Sequence, residues 1–234
     1  MKYLKNEFQI GDREGTEDET ASAQHLEAKL LDIQATLENL PADATTSERL
    51  KPTLDSCYLL LDLERKDEAW NLARNSFDQA LAEQLWTQAV EACDIMYQAD
   101  MDKSISALAH GIWLGVTFPI EPDLSVAMLQ HLVDETPDHS DGAAVAAATA
   151  CYLVDMRAED EQKEQLQFFT RQLLGQVAKR HSQIEDKEIF DFWVEQLELN
   201  DPGKFLPRLA SMLDVLTDND WWYERDQLRD LIPA

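Results

Sequence analysis

Residues 143–156, Ala-Ala-Val-Ala-Ala-Ala-Thr-Ala-Cys-Tyr-Leu-Val-Asp-Met, are apolar around nearly the whole circumference when wound as a helix. Such a helix has no side to turn to water, so it needs neighbours on every flank and belongs in the middle of a fold. Those neighbours are expected to be helices too. The chain holds only seven glycines and eight prolines in 234 residues, few for the tight turns of a sheet-rich fold. Elsewhere apolar residues recur at three- and four-residue intervals, the period of a helix face.

Along the chain, Leu26, Leu30, Ile33, Leu37 and Leu40 mark a helix from Ser22 that stops at Pro41. The next starts near Ser47 or Pro52 and turns Leu54, Cys57, Tyr58, Leu61 and Leu63 inward. Asp67 is expected to cap a helix with Trp70, Ala73, Phe77, Ala80 and Leu81 on one face. Residues 83–98 and 102–116 continue the pattern, and Asp123 is expected to cap a short helix ending at Pro137. Residues 160–181 follow, then 185–199 with Ile189, Phe192, Trp193, Val194 and Leu197 inward. Pro202 opens a helix over 202–216, where its missing N–H costs little, and 220–232 closes the chain. No stretch alternates like a strand; Gly115, Val116, Thr117 and Phe118 come nearest. The reading is an all-α fold of about ten antiparallel helices packed as pairs, either a short solenoid or an irregular bundle. Residues 1–20, with Gly11, Gly15 and the acids Glu17, Asp18 and Glu19, are expected to form a mobile arm. A single helical domain over 21–234 is expected to follow it.

Within this array, Leu59 to Trp70 (Leu-Leu-Leu-Asp-Leu-Glu-Arg-Lys-Asp-Glu-Ala-Trp), followed by Ala73, Phe77 and Ala80, resembles a tetratricopeptide helix pair. That family's second helix carries Ala-x3-Phe-x2-Ala, in which small residues admit a neighbouring helix and the large one fills the groove beside them. Ala92, Met96 and Ala99 give the small-large-small pattern again 19 residues later, so the resemblance covers residues 54–102. It implies stacked helix pairs and a protein-binding role.

Reactive motifs are not found in the sequence. Cys57, Cys93 and Cys151 are isolated within apolar patterns, as expected of buried thiols in a reducing compartment, and no zinc spacing or disulfide framework is indicated. There is no Gly-rich phosphate loop and no nucleophile elbow. The turn 137–142, Pro-Asp-His-Ser-Asp-Gly, has a glycine where a calcium loop would but lacks its first ligand and its closing glutamate. The nearest approach to a metal site is His131, Glu135 and His139, with the first two on one helix face. His110 lies among Leu108, Ala109, Gly111, Ile112 and Trp113 and is read as a core histidine. A helical metal protein or enzyme built around His110 or His131 is the alternative to a binding protein, which needs no cofactor.

Charge says more. The chain carries 46 Asp plus Glu against 20 Lys plus Arg, a formal net charge of -26, while 44% of its residues are hydrophobic. The apolar content excludes general disorder. The negative charge disfavours nucleic acid as a ligand, since a polyanion would meet repulsion and release few counterions. A protein that itself imitates DNA with arrayed carboxylates remains a further alternative. Neither a secretory leader nor a membrane span is expected, because the longest uncharged run, 104–120, is broken by His110, two glycines and Pro119. A cytoplasmic location is the default.

Between Lys103 and Arg157 there is no Lys or Arg, whereas Glu121, Asp123, Asp134, Glu135, Asp138, Asp141 and Asp155 are all acidic. These are expected to form an uncompensated acidic rim around the central helices, with Glu121, Asp134, Glu135, Asp138 and Asp141 docking a basic protein partner. Trp221 and Trp222, placed about 100° apart on a terminal helix, are further docking candidates, one capping the core and one exposed. Gly111 and Gly115 point to a close helix contact and leave a homodimer open. The function expected is that of a non-enzymatic accessory or assembly factor, typically serving a larger enzyme complex.

Overall fold

The computed structural model describes residues 3, 4 and 16–232, so the arm expected over 1–20 lies largely outside the described residues, and its last five residues open the first helix ahead of the start expected at Ser22. Eleven helices follow one another with no strand among the described residues: α1 (Thr16–Glu38), α2 (Thr46–Asp62), α3 (Lys66–Ala82), α4 (Trp86–Gln98), α5 (Ser104–Thr117), α6 (Pro122–Glu135), α7 (Asp141–Arg157), α8 (Asp160–Ser182), α9 (Lys187–Gln196), α10 (Pro202–Leu216) and α11 (Arg225–Arg229). The single domain expected over 21–234 groups into two compact units. One holds the described residues up to Leu114, and the other those from Gly115 onward together with Tyr3 and Leu4. The division falls inside α5, where nothing in the sequence resembles a linker.

In the first unit, α2 packs on α1, α3 and α4, and α3 packs on α4. Thr45 starts α2 with a capping box: its hydroxyl accepts from the Glu48 N–H, and the Glu48 carboxylate accepts from the Thr45 N–H at 2.8 Å. This fixes the start ahead of both Ser47 and Pro52, and Pro52 lies within the helix. Leu50, Leu54, Cys57 and Leu60 are buried, so Leu60 takes the place expected for Leu61. Asp67, expected as a cap, lies inside the first turn of α3, and Arg65 occupies the cap position without a side-chain bond to the helix backbone, its guanidinium donating instead to the Glu68 carboxylate. The Ala73, Phe77 and Ala80 pattern sits wholly in the core with Ala69, each fully buried. The alanines leave room for α2 and α4 on either side.

Two tight reversals join these helices, and neither uses glycine. After α2, Glu64 adopts φ 58° and the Arg65 N–H returns to the Leu60 carbonyl; after α3, Gln84 adopts φ 56° and the Leu85 N–H returns to Ala80. Both are Schellman closures, which satisfy the last carbonyls and turn the chain back within three residues. After α4, Asp100 takes the same left-handed place, and the Ser104 hydroxyl bridges the end by accepting from the Met101 N–H and donating to the Met96 carbonyl. Helix α4 is enclosed from Ala89 to Met96, with Glu91 and Asp94 among the buried residues. Asp94 accepts from the Tyr58 hydroxyl at 2.8 Å and from the Gln98 amide at 2.7 Å.

The second unit is built around α7, as its composition predicts. Residues 143–150 are all buried, and α7 packs against α6, α8 and α10, with α6 also touching α8. Gly142 lets α10 approach: a Cβ there would stand 2.8 Å from Met212 Cε. Gly115 does the same at the end of α5, where a Cβ would lie 3.2 Å from Ser125 Oγ, and that hydroxyl donates to the Gly115 carbonyl. The residues nearest to a strand in pattern, 115–118, thus form the last turn of α5 and its exit. Asp123 is also not the cap expected; Glu121 holds that position, and Asp123 is buried in the first turn of α6. Helix α10 begins and ends where the sequence placed it, with Asp201 capping and Pro202 leading.

Candidate functional site

The acidic residues proposed for docking do not form one rim. Glu121 begins α6, whereas Asp134 and Glu135 end it, about 20 Å away at 1.5 Å per residue. Asp134, Glu135, Asp138 and Asp141 do come together in the α6–α7 turn, but this turn is not left uncompensated. Arg180 of α8 reaches Asp138 at 3.5 Å and donates to the Val133 carbonyl at 2.9 Å. Arg208 of α10 reaches Asp141 at 3.1 Å and donates to the Leu197 carbonyl at 2.6 Å. The cations that answer this acid-rich stretch are carried by helices 42 and 67 residues away in sequence, so a local count of charge misses them.

His181 adds a third tie. Its Nδ1 accepts the Trp193 indole N–H at 3.2 Å, which places the ring proton on Nε2, facing Asp141 Oδ1 at 3.2 Å. Ser182 Oγ lies 2.5 Å from the same Nδ1. The order serine, histidine, aspartate is therefore present, yet the lone pair that a base would use is already taken by the indole. The arrangement ties α7, α8 and α9 together.

The metal candidates do not converge. His131 lies half-buried on α6, Glu135 is exposed, and His139 turns its Nδ1 onto the His181 carbonyl at 2.7 Å. Among the described residues, no three or more His, Cys, Asp or Glu side chains are grouped to hold a metal ion. His110 is fully buried in α5. Burial pushes the Cys57 thiol up to about 12 and the Cys93 thiol well above its ordinary value, and it also raises partly exposed Cys151, so none is poised as a thiolate.

Trp221 and Trp222 lie in the turn after α10, so the helical geometry expected of them does not apply. Trp221 is held on three sides: its N–H donates to Asp214 at 3.0 Å, the Arg225 guanidinium stacks 4.1 Å from its ring centre, and Tyr223 packs at 5.8 Å. Arg225 also pairs with Asp214 at 2.8 Å. Both tryptophans are half-buried, which suits closure of this corner better than an exposed anchor.

The side chains that do stand out were expected to face inward. In α9 only Trp193 is buried; Ile189 is 56% and Phe192 65% exposed. On a helical wheel they form a shoulder between the inward stripe of buried Trp193 with half-buried Phe190 and Leu197 and an exposed acidic stripe of Glu188, Asp191 and Glu195. Comparison of the chain with family models, curated proteins and solved structures returned no match.

Proposed function

We propose that this chain is a non-enzymatic protein-binding or assembly factor of the cytoplasm that docks a partner with a basic surface, as an accessory subunit of a larger enzyme complex. The observation that carries the proposal is the charge of -26 on a scaffold of stacked helices. Such a field accelerates encounter with a cationic partner and discourages anionic ones. Support also comes from the packing, in which consecutive helices pair from α1 to α4 and from α6 to α8, and α2 meets α4 as α6 meets α8, the adjacency of helix-pair repeats. No helix of the described residues is long and apolar enough to cross a membrane, in keeping with this role. A DNA mimic would need carboxylates at phosphate-like spacing on one face, and the α6–α7 turn instead interleaves Asp138 and Asp141 with Arg180, His181 and Arg208. The test is a native pull-down from the source cell at low and at high salt. A partner retained at low salt and released at high salt is expected; retention of nothing at either salt would overturn the reading.

A further inference from the structure

We infer that α9 is the docking element, and that its occupant is a basic amphipathic helix of the partner protein, laid along Ile189 and Phe192 with its Lys or Arg residues against Glu188, Asp191 and Glu195. This rests on the binding-factor reading and names the site and the partner's chemistry.

A ten-residue helix is marginal on its own, so α9 exists because the protein holds it. Asp186 caps its start by accepting from the N–H groups of Glu188 and Ile189. Trp193 anchors its middle through the bond to His181 and edge contact with that ring at 5.7 Å. Arg208 clamps its end at the Leu197 carbonyl, and the Leu199 N–H closes back on Val194. Ile189 and Phe192 are therefore presented from a helix fixed at both ends and in the middle. Their ordering has been settled before any partner arrives, which favours affinity.

The spacing selects the kind of partner. Apolar residues at i and i+3 beside acids at 188, 191 and 195 form the edge of a two-helix seam with an acidic flank. None of those three acids is in an ion pair within the described residues, in contrast to Glu185, paired with Lys179 at 2.7 Å, and Glu198, paired with Lys204 at 3.6 Å. Charge then decides between occupants. A second copy would bring the same acidic flank and another -26, and an anionic lipid surface would be repelled likewise. A helix with Leu-type residues on one face and Lys or Arg beside them satisfies both stripes.

The probe is a synthetic Leu/Lys amphipathic helical peptide of about five turns, with its Leu/Glu counterpart as control, titrated into the full-length protein and read by fluorescence anisotropy. Expected are salt-sensitive binding of the Leu/Lys peptide, no binding of the Leu/Glu peptide, and about tenfold or greater weakening in the double variant Ile189→Ser, Phe192→Ser. The triple variant Glu188→Lys, Asp191→Lys, Glu195→Lys is expected to reverse the preference. Both sets of positions are exposed, so unchanged circular-dichroism melts are the control for folding. Equal peptide affinity in wild type and double variant would overturn α9 as the site, and so would binding of neither peptide at low salt. A pull-down that still retains a salt-sensitive partner in either case would leave the binding-factor reading standing. Concentration-dependent dimerisation abolished by the double variant would overturn the inference in favour of a second copy.

Discussion

Three arginines do the same work at different places. Arg157 donates to the Gly115 and Val116 carbonyls at 2.6 Å each, Arg180 to Val133, and Arg208 to Leu197, so each closes the carbonyl end of a helix other than its own. The helices so closed, α5, α6 and α9, carry no basic residue in their last turn. A cation at that end satisfies orphan carbonyls and opposes the helix dipole. Burial pulls the Arg157 guanidinium below its ordinary value, a sign that it is held away from water for this purpose. Arg157→Ala is expected to cost about 2–3 kcal/mol in urea unfolding, because two charge-assisted bonds go and the Val116 carbonyl loses this donor, while the Gly115 carbonyl keeps the Ser125 hydroxyl. Arg157→Lys should recover only part, having no fork to span both carbonyls. In the sequence Arg157 only ends a stretch without cations, since its targets lie about forty residues back and no local pattern points to them. Cys57 was more legible, sitting in an apolar helical pattern. Its folded value of about 12 against an ordinary 9.0 gives a definite sign: above pH 9 the unfolded thiol ionises while the folded one keeps its proton. Stability is therefore full below pH 9 and falls between 9 and 12, by about 1.4 kcal/mol per unit for this residue. Cys57→Ala should flatten the alkaline slope of unfolding free energy against pH by that amount, and an unchanged slope would contradict it.

Helix ends were readable only in part: Asp67 and Asp123, expected as caps, lie inside the first turns of α3 and α6, and the Thr45 capping box starts α2 ahead of the expected place. Helix α10 has Asp201 and Pro202 at its start, and its sequence boundaries match the structure. Helix α7 was expected in the middle of the fold because its alanine-rich surface has no side to turn to water, and it is enclosed by α6, α8 and α10. The hairpin turns after α2 and α3 are less legible, because the left-handed position that glycine normally fills holds Glu64 and Gln84. An L-residue with a Cβ pays roughly 1 kcal/mol there, and glycine would lose part of that advantage through the entropy of the unfolded chain. Glu64→Gly and Gln84→Gly are each expected to raise stability by about 0.5 kcal/mol in denaturant titrations, and a loss from either would mean that its side chain makes a contact outweighing the strain. Helix α9 shows another limit. Its apolar periodicity is strong, and a wheel identifies the apolar side correctly, but periodicity holds no information on whether the protein itself supplies a surface to cover that side. Only Trp193 found one.

At the scale of the whole molecule the fold class was set by turn-poor composition and helical period, while the two units were hidden because their division lies within a helix. Charge was legible in total and illegible in placement. The acid-rich turn between α6 and α7 draws Arg180, His181 and Arg208 from distant helices, and the exposed stripe on α9 has no such answer. Salt separates these contributions. Exposed pairs such as Arg180 with Asp138 and Lys204 with Glu198 contribute about 0–1 kcal/mol each, and screening removes that. Against them stands the mutual repulsion of 26 excess negative charges, which screening relieves over a Debye length of about 8 Å at physiological ionic strength. Repulsion among many charges should outweigh a few surface pairs, so the melting temperature is expected to rise between low salt and about 0.5 M, well past the range in which the Debye length shrinks most. Partner binding should respond in the opposite direction, weakening as the attraction between acidic stripe and basic helix is screened. A melting temperature that fell with salt would mean that the paired arginines, and not the uncompensated acids, dominate the electrostatics of the folded chain.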